Sequence, residues 1–325
     1  MNRLIFVENR FDVRYIQVKY IQVKYEGKQS VKKGRYMEIT VDTRLIGLLG
    51  TPIGHSISSR MHNETFKALG LDYCYLPIEI GREHLGDVVN GLKHLNFRGF
   101  GVTKPNKIDI MQYMDEMDEL AAMMGSCNTV VNSSGILKGY NTDGDGFVRS
   151  LLSESNINLK DTTVFCFGAG GTAKACCFSL AYRGAKKIYI SSRSGINCEV
   201  LANEINLRIK PIAESVKEKD SDYYLGKIAE SDVLLNMTGM GMHSNQNETP
   251  IKKEALDPRQ ICYDATYNPT RTRFLSEAES VGCKIINGLG MVVNQGAMQF
   301  KLWTGKPEPY AMMENVVKQI INEYK

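Results

Sequence analysis

The chain has 325 residues, 43% of them hydrophobic, and its 40 Lys and Arg against 36 Asp and Glu give a formal charge of +4. That length exceeds what one hydrophobic core usually organises, so two domains are expected. The near-balance of charge gives no general attraction to nucleic acid, and no apolar run reaches the roughly 18 residues that span a bilayer.

The first 36 residues hold nine Lys and Arg against Glu8, Asp12 and Glu26, a local +6, which leaves −2 for the rest. Residues 15–25 read Tyr-Ile-Gln-Val-Lys twice and then Tyr25. This repeat is an added strand, a poorly ordered arm or the product of a misassigned start, with Met37 as an alternative start. The early apolar run at residues 4–7 ends at Glu8, so no signal-peptide core is expected. Eight cysteines (74, 127, 166, 176, 177, 198, 262 and 283) form no Cys-x-x-Cys. Buried thiols, a reducing compartment and a cytoplasmic protein are expected.

From Arg44 strand and helix signals alternate. Residues 45–49 are a short apolar strand; Met61, Phe66, Ala68 and Leu69 fit one side of a helix ended by Gly70; residues 73–80 are strand again. Leu85, Val88, Val89, Leu92 and Leu95 have helical spacing, and residues 99–102 form the next strand. A second α/β unit begins near Asp161. It has strands at 163–167, 187–191, 232–236, 261–265 and 284–286, with helices at 172–182, near 197–205 and before Gly282. Repeated strand-helix-strand units predict a parallel, doubly wound sheet covered on both faces. Helices at 291–303 and 310–324, separated by Pro307 and Pro309, are expected to return to the first domain. The expected division is an extension at 1–36, one domain from 37–144 plus 291–325, and a second from 145–290.

Residues 168–173, Gly168-Ala169-Gly170-Gly171-Thr172-Ala173, lie between a strand and a helix. Glycines there allow a tight turn and let a diphosphate approach backbone N–H groups at the helix start, so a dinucleotide site is expected. At the end of the next strand Ser192, Arg193 and Ser194 stand about where an NAD site would place an acid. A guanidinium and two hydroxyls suit a 2′-phosphate, so NADP is expected, with NAD as the alternative. Asn197 is neutral where a second base would strengthen that preference.

Lys107 follows Pro105 at a strand-to-helix junction, and Asp143 precedes Gly144; each alone is an ordinary surface lysine or turn aspartate. With Asn128 and Thr129 they place acid, base and amide groups at the ends of successive elements, as α/β active sites are assembled. Ser56 and Ser58 open a helix, where they act as caps or bind a carboxylate. Gln295 is either a helix-surface amide or a cleft residue. His55 and His62 show no zinc pattern, and no metal is expected.

Taken in order, these blocks resemble the shikimate dehydrogenase family from about Met37 onward, closest to its quinate/shikimate branch. The likeness rests on residues 52–58, 101–107 (Gly-Val-Thr-Lys-Pro-Asn-Lys), 125–129, 139–146, 168–173, 263–269, and 288–295 with 302–305. It implies an N-terminal α/β substrate-binding domain, a Rossmann-like NADP domain and reversible NADP(H)-dependent reduction of 3-dehydroshikimate to shikimate, in the chorismate route to aromatic amino acids. It also implies that Ser56 and Ser58 hold the substrate carboxylate, that Thr103, Lys107, Asn128, Asp143 and Gln295 bind ring oxygens, and that Tyr267 lies near substrate and nicotinamide. Lys107 and Asp143 become the catalytic pair, while residues 168–173 and 192–194 grip the phosphates and Thr238, Ala265 and Gly288 border the nicotinamide half.

The chain departs from common family patterns at Gly101, which many members replace with Asn, at Ser59, and in lacking the adenosine-site acid of the quinate/shikimate branch at 194–195. The first admits quinate, whereas the last favours NADP. Glycines at 139, 144 and 146 make a hinge plausible after Asp143, with the cleft between the domains. Lysine is overwhelmingly cationic at neutral pH, so an ammonium at 107 suits proton donation in reduction, and oxidation is expected to speed up at alkaline pH. Competing readings are a quinate dehydrogenase using NAD, a non-catalytic dinucleotide-binding regulator, and a nucleic-acid role for the basic arm. Small-molecule partners are expected, without nucleic acid or membrane, in a monomer or homodimer.

Overall fold

A computed structural model of the protein describes residues 39–323 except 55, 96, 218, 243 and 244. The repeat at 15–25, the basic arm, Met37 and His55 lie outside the described residues.

Strand β1 (Arg44–Gly50) is followed by α1 (Ser58–Ala68), β2 (Tyr73–Glu79), α2 (Leu85–His94) and β3 (Phe97–Val102). Then come β4 (Glu116–Met117), α3 (Glu119–Met124), β5 (Thr129–Ser133) and β6 (Ile136–Tyr140). Among the described residues these strands form one six-stranded sheet in the order β2-β1-β3-β5-β6-β4. β1 pairs in parallel with β2 and β3, whereas β5 is antiparallel to both β3 and β6. The β5–β6 hairpin turns through Ser134 (φ 54°) and Gly135 (φ 91°). Positive φ at both positions is what a two-residue turn between twisted strands needs. The near-continuous burial of β1 from Ile46 to Gly50 fits a strand covered on both faces.

The crossing to the second sheet is helical: α4 (Asp143–Ser155) leads to β7 (Thr163–Phe167) and α5 (Gly171–Tyr182). Next are β8 (Lys187–Ser191), α6 (Gly195–Arg208), β9 (Ala213–Ser215), α7 (Asp222–Ala229) and β10 (Val233–Asn236). β11 (Ile261–Asp264), α8 (Arg273–Val281) and β12 (Lys284–Ile286) complete the unit. The described strands order as β12-β11-β10-β7-β8-β9, all parallel. The strand order reverses between β7 and β10, and a crevice opens at their carboxyl ends, where ligands of such sheets bind.

Of the three glycines expected to act as a hinge, Gly139 lies in β6, and Gly144 and Gly146 pack α4 closely against other helices. A Cβ on Gly144 would lie 2.1 Å from Ser179 Oγ of α5, and one on Gly146 would lie 2.8 Å from the backbone N of Gln295. α4 is thus wedged between α5 and the tail helix α9 (Leu289–Thr304), and Phe147, Val148 and Leu151 share a core with Val164, Cys176 and Tyr263. α9 and α10 (Tyr310–Glu323) return to the first sheet, where Phe300, Trp303, Met313 and Val317 pack with Ile46, Met61, Phe66 and Tyr75. All eight cysteines are free and buried. Among the described residues no helix is long and apolar enough to cross a membrane, and no group of three or more His, Cys, Asp or Glu is arranged to hold a metal ion.

Candidate active site

The loop after β3 fixes the backbone of Lys107 before its side chain begins. The Lys107 carbonyl accepts from Cys127 N–H at 2.8 Å, and the buried neighbour Asn106 donates through Nδ2 to the Ile80 carbonyl at 2.9 Å. From there Lys107 Nζ reaches Asp143 Oδ2 at 2.6 Å. Asp143 is the first residue of α4, and its N–H donates to Asn141 Oδ1 at 3.1 Å. A carboxylate in the first turn also faces the positive end of the helix dipole.

Asn128 completes the cluster. Its Oδ1 accepts from Thr142 N–H at 2.8 Å, an unambiguous donor that leaves the NH₂ pointing at Asp143 Oδ1, also 2.8 Å away. Both carboxylate oxygens are therefore occupied, one by an ammonium and one by an amide. The Lys107 and Asp143 side chains are 28% and 15% exposed, so the pair is shielded yet open to a ligand. It lies on the wall of a cavity of about 480 Å³ that is also lined by Ser56, Ser58, Thr103, Asn128, Tyr267 and Gln295. The structure thereby brings together all eight substrate-facing residues expected from sequence. Ser56 Oγ accepts from Ser58 N–H at 3.3 Å, while the helix cap itself is Ile57, without a side-chain cap bond. Gln295 turns to the cavity rather than to a solvent face, and its Nε2 donates to the Val292 carbonyl at 2.9 Å.

Tyr75 and Gln299 also line this cavity and were not anticipated. They stand beside Gly101, where a Cβ would lie 2.9 Å from Tyr75 Oη and 3.8 Å from Gln299 Nε2. Tyr75 thus occupies the room beside the missing side chain. Behind Tyr75 the fully buried His62 stacks at 4.8 Å between ring centroids and 5° between planes. Neither His62 nitrogen reaches a hydrogen-bond partner in good geometry, although Gln299 approaches closely enough to offset part of the burial penalty. Burial lowers the imidazole pKa to about 3.

His62 thus stays neutral in the folded chain while an unfolded chain protonates it below its ordinary value of 6.5. Its contribution is complete above pH 6.5 and declines toward pH 3, with a slope of at most about 1.4 kcal/mol per pH unit. Urea denaturation at pH 7 and pH 5 is expected to show a smaller acid loss for His62→Gln than for the parent; equal losses would exclude this role.

A second cavity, of about 560 Å³, shares Met237 and Thr238 with the first. It is lined by Gly168, Ala169, Gly170, Ser192, Arg193 and Ser194. Gly168 has φ +115°, and a Cβ there would lie 2.9 Å from the Met237 carbonyl oxygen, so the β7 turn needs glycine to abut the end of β10. Gly170 and Gly171 face open space, Gly170 caps α5 without a side-chain bond, and the first turn of α5 carries no acid. Uncapped N–H groups and the Arg193 guanidinium on one cavity fit a dinucleotide bearing an extra phosphate.

Ser194 also serves as the α6 cap, accepting from Asn197 N–H at 3.4 Å, and Ser192 Oγ donates to the Ser194 carbonyl at 2.7 Å. One expectation changes here: residues 194–195 carry no acid, but Glu248, from the segment beyond β10, lines the same cavity as Arg193. No local motif announces it.

At the junction, Thr172, Thr238, Ala265 and Tyr267 line the first cavity. Thr238 Oγ1 donates to Asn236 Oδ1 at 2.6 Å, and Asn236 Nδ2 donates to Asp264 Oδ2 at 2.9 Å. Asp264 also accepts from Thr266 N–H and Thr272 Oγ1, tying together the loops after β10 and β11. Burial raises its pKa, and these hydrogen bonds pull in the opposite direction. Gly171, Ala173 and Gly288 line neither cavity. Ala173 is fully buried in the core, and Gly288 is required by packing, since a Cβ there would lie 2.0 Å from the Ala265 carbonyl oxygen.

Residues 48–130 match the family model of the shikimate dehydrogenase substrate binding domain, and residues 288–318 match that of the shikimate 5'-dehydrogenase C-terminal domain. A shikimate dehydrogenase (NADP(+)) of Alkaliphilus metalliredigens is 43% identical over 276 residues, covering 85% of this chain and 96% of that protein. Among solved structures, a shikimate 5-dehydrogenase from Listeria monocytogenes in complex with shikimate and NAD has a TM-score of 0.83 and 40% identity, covering 87% of this chain and 99% of that one. A quinate dehydrogenase from Corynebacterium glutamicum in complex with NAD has a TM-score of 0.80 and 27% identity, covering 85% and 99%. The chain belongs to the shikimate dehydrogenase family.

Proposed function

We infer that the chain is an NADP-dependent shikimate dehydrogenase of the shikimate pathway, catalysing the reversible reduction of 3-dehydroshikimate to shikimate, with Lys107 and Asp143 as its proton-transfer pair. The observation that carries this reading is the 2.6 Å Lys107–Asp143 contact, held by Asn128 on a cavity that adjoins the glycine-turn cavity through Met237 and Thr238.

NADPH, when bound, supplies the hydride. Lys107 donates a proton to the substrate oxygen as negative charge develops there, and recovers it in oxidation. Asp143 keeps the ammonium aimed at that oxygen and accepts a hydrogen bond from a ring hydroxyl. Asn128 holds Asp143 in place through a fixed amide. Ser56 and Ser58 bind the substrate carboxylate, Thr103 and Gln295 bind ring hydroxyls, and Tyr267 borders the ring. Ala265 and Thr238 border the nicotinamide, Gly168, Ala169, Gly170 and Thr172 surround the diphosphate, and Arg193 binds the 2′-phosphate with Ser192 and Ser194. Gly171, Ala173 and Gly288 act through backbone position and packing. The proposed division assigns 37–144 plus 291–325 to substrate and 145–290 to cofactor.

Steady-state rates with 3-dehydroshikimate and NADPH or NADH, beside shikimate or quinate with NADP or NAD, test the assignment. Shikimate with NADP is expected to be the preferred oxidised pair. A higher kcat/KM for quinate with NAD would replace this reading by a quinate dehydrogenase, and no turnover with any pair would favour a binding protein. Arg193→Ala is expected to weaken NADPH binding roughly tenfold or more, the size of a lost charge-assisted hydrogen bond, and to leave NADH nearly unchanged. Fluorescence titration measures both, and equal losses would exclude a role in 2′-phosphate recognition.

A further inference from the structure

We propose that Gln299 is a positioning residue for the Lys107–Asp143 pair, acting through Thr129 and Asn128. The proposal rests on the proton-transfer role of that pair. Gln295, Gln299 and Trp303 recur every fourth residue along α9 and so share one face of the helix. Trp303 Nε1 donates to the Val130 carbonyl at 2.9 Å, anchoring the helix on β5. One turn earlier, Gln299 Nε2 donates to Thr129 Oγ1 at 2.9 Å and lies 3.4 Å from the Asn128 carbonyl oxygen.

The direction of the chain of hydrogen bonds matters. Because Thr129 Oγ1 accepts from Gln299, its own proton is free to point at Asn128 Oδ1, 2.8 Å away. Thr142 N–H already sets the direction of that amide, and the Thr129 hydroxyl adds a second close donor that restrains the Asn128 NH₂ against Asp143. Gln299 is only 4% exposed. A buried amide with a specified polarity thus joins the tail helix to the carboxylate that holds Lys107. Networks of this kind act as units, which makes non-additivity their signature.

Gln299→Leu removes the donor, and Gln299→Glu keeps the volume while substituting an acceptor that competes for the Thr129 proton. Each is expected to lower kcat for 3-dehydroshikimate reduction roughly tenfold, with substrate KM within about twofold, as for one lost hydrogen bond. Thr129→Val is expected to do the same, and the double variant Gln299→Leu with Thr129→Val to lose no more than either single variant. Thermal melts accompany the rates, and the isosteric Gln299→Glu decides the matter if Gln299→Leu does not fold. Unchanged kcat, a loss confined to substrate KM, or losses that multiply in the double variant would each overturn the proposal. A Lys107→Ala variant assayed in parallel separates the two layers: near-normal turnover there defeats the proton-transfer reading itself, whereas an inactive Lys107→Ala beside a fully active Gln299→Leu defeats only the role of Gln299.

Discussion

Replacing Lys107 with alanine is expected to lower kcat for 3-dehydroshikimate reduction about 10³-fold, within the 10²–10⁴ range of positioned acid–base groups. The loss should fall on kcat more than on cofactor affinity, because Lys107 lines the cavity that holds the pair and not the one that holds Arg193. Stability is expected to fall as well, because Asp143, whose side chain is 15% exposed, loses its ammonium partner. NADPH oxidation rates beside a thermal melt of each protein check both statements. A folded variant within about tenfold of the parent would remove Lys107 from the chemistry.

Asp143→Asn is expected to cost about 10²- to 10³-fold in kcat and to raise substrate KM as well. The amide no longer pairs the Lys107 ammonium, and one of its ends must face the Asn128 NH₂, whose direction Thr142 N–H dictates. Both failures arise at the same two oxygens. A merely structural role at the start of α4 would behave differently: losing a negative charge in a first helical turn costs about 0.3–1 kcal/mol of stability and leaves the rate alone. Measuring kcat, KM and melting temperature on one preparation distinguishes the cases. A change in melting temperature alone would assign Asp143 to helix stabilisation.

The residues of the site were legible because each belongs to a local signal at the end of an element. The strand before Lys107, the glycine turn at 168–171 and the polar block before α4 each appear within a few residues of sequence. Their convergence was expected because ligands of α/β sheets collect at strand carboxyl ends. The groups that support them were not legible. Gln299 reaches Thr129 across 170 residues, and Tyr75 occupies the space beside Gly101 from β2, on the far side of β1. Neither contact has a periodicity or motif of its own. Glu248 enters the cofactor cavity from a segment that carries no strand or helix pattern.

In the fold, β7, β8, β10 and β11 could be read from apolar runs followed by turn residues, since they are buried almost throughout, whereas the three-residue edge strand β9, Ala-Glu-Ser, has no apolar run and was not predicted. The β5–β6 hairpin could not, because its strands are five residues each and Ser134-Gly135 is a weaker turn signal than Asn-Gly or Asp-Gly. The glycines of α4 show the converse error. In isolation Gly144 and Gly146 suggest a flexible crossing, but their absent side chains allow α5 and α9 to approach the helix backbone closely. A glycine marks either freedom or proximity, and only its neighbours in space decide which.

A crystal structure of the protein with shikimate and NADP bound would test the central claim most directly. Lys107 Nζ and an Asp143 carboxylate oxygen are expected within about 2.6–3.2 Å of one and the same substrate hydroxyl, on the side of the ring that faces the nicotinamide. Shikimate bound with that hydroxyl turned to other residues, and with Lys107 and Asp143 touching only each other, would contradict it.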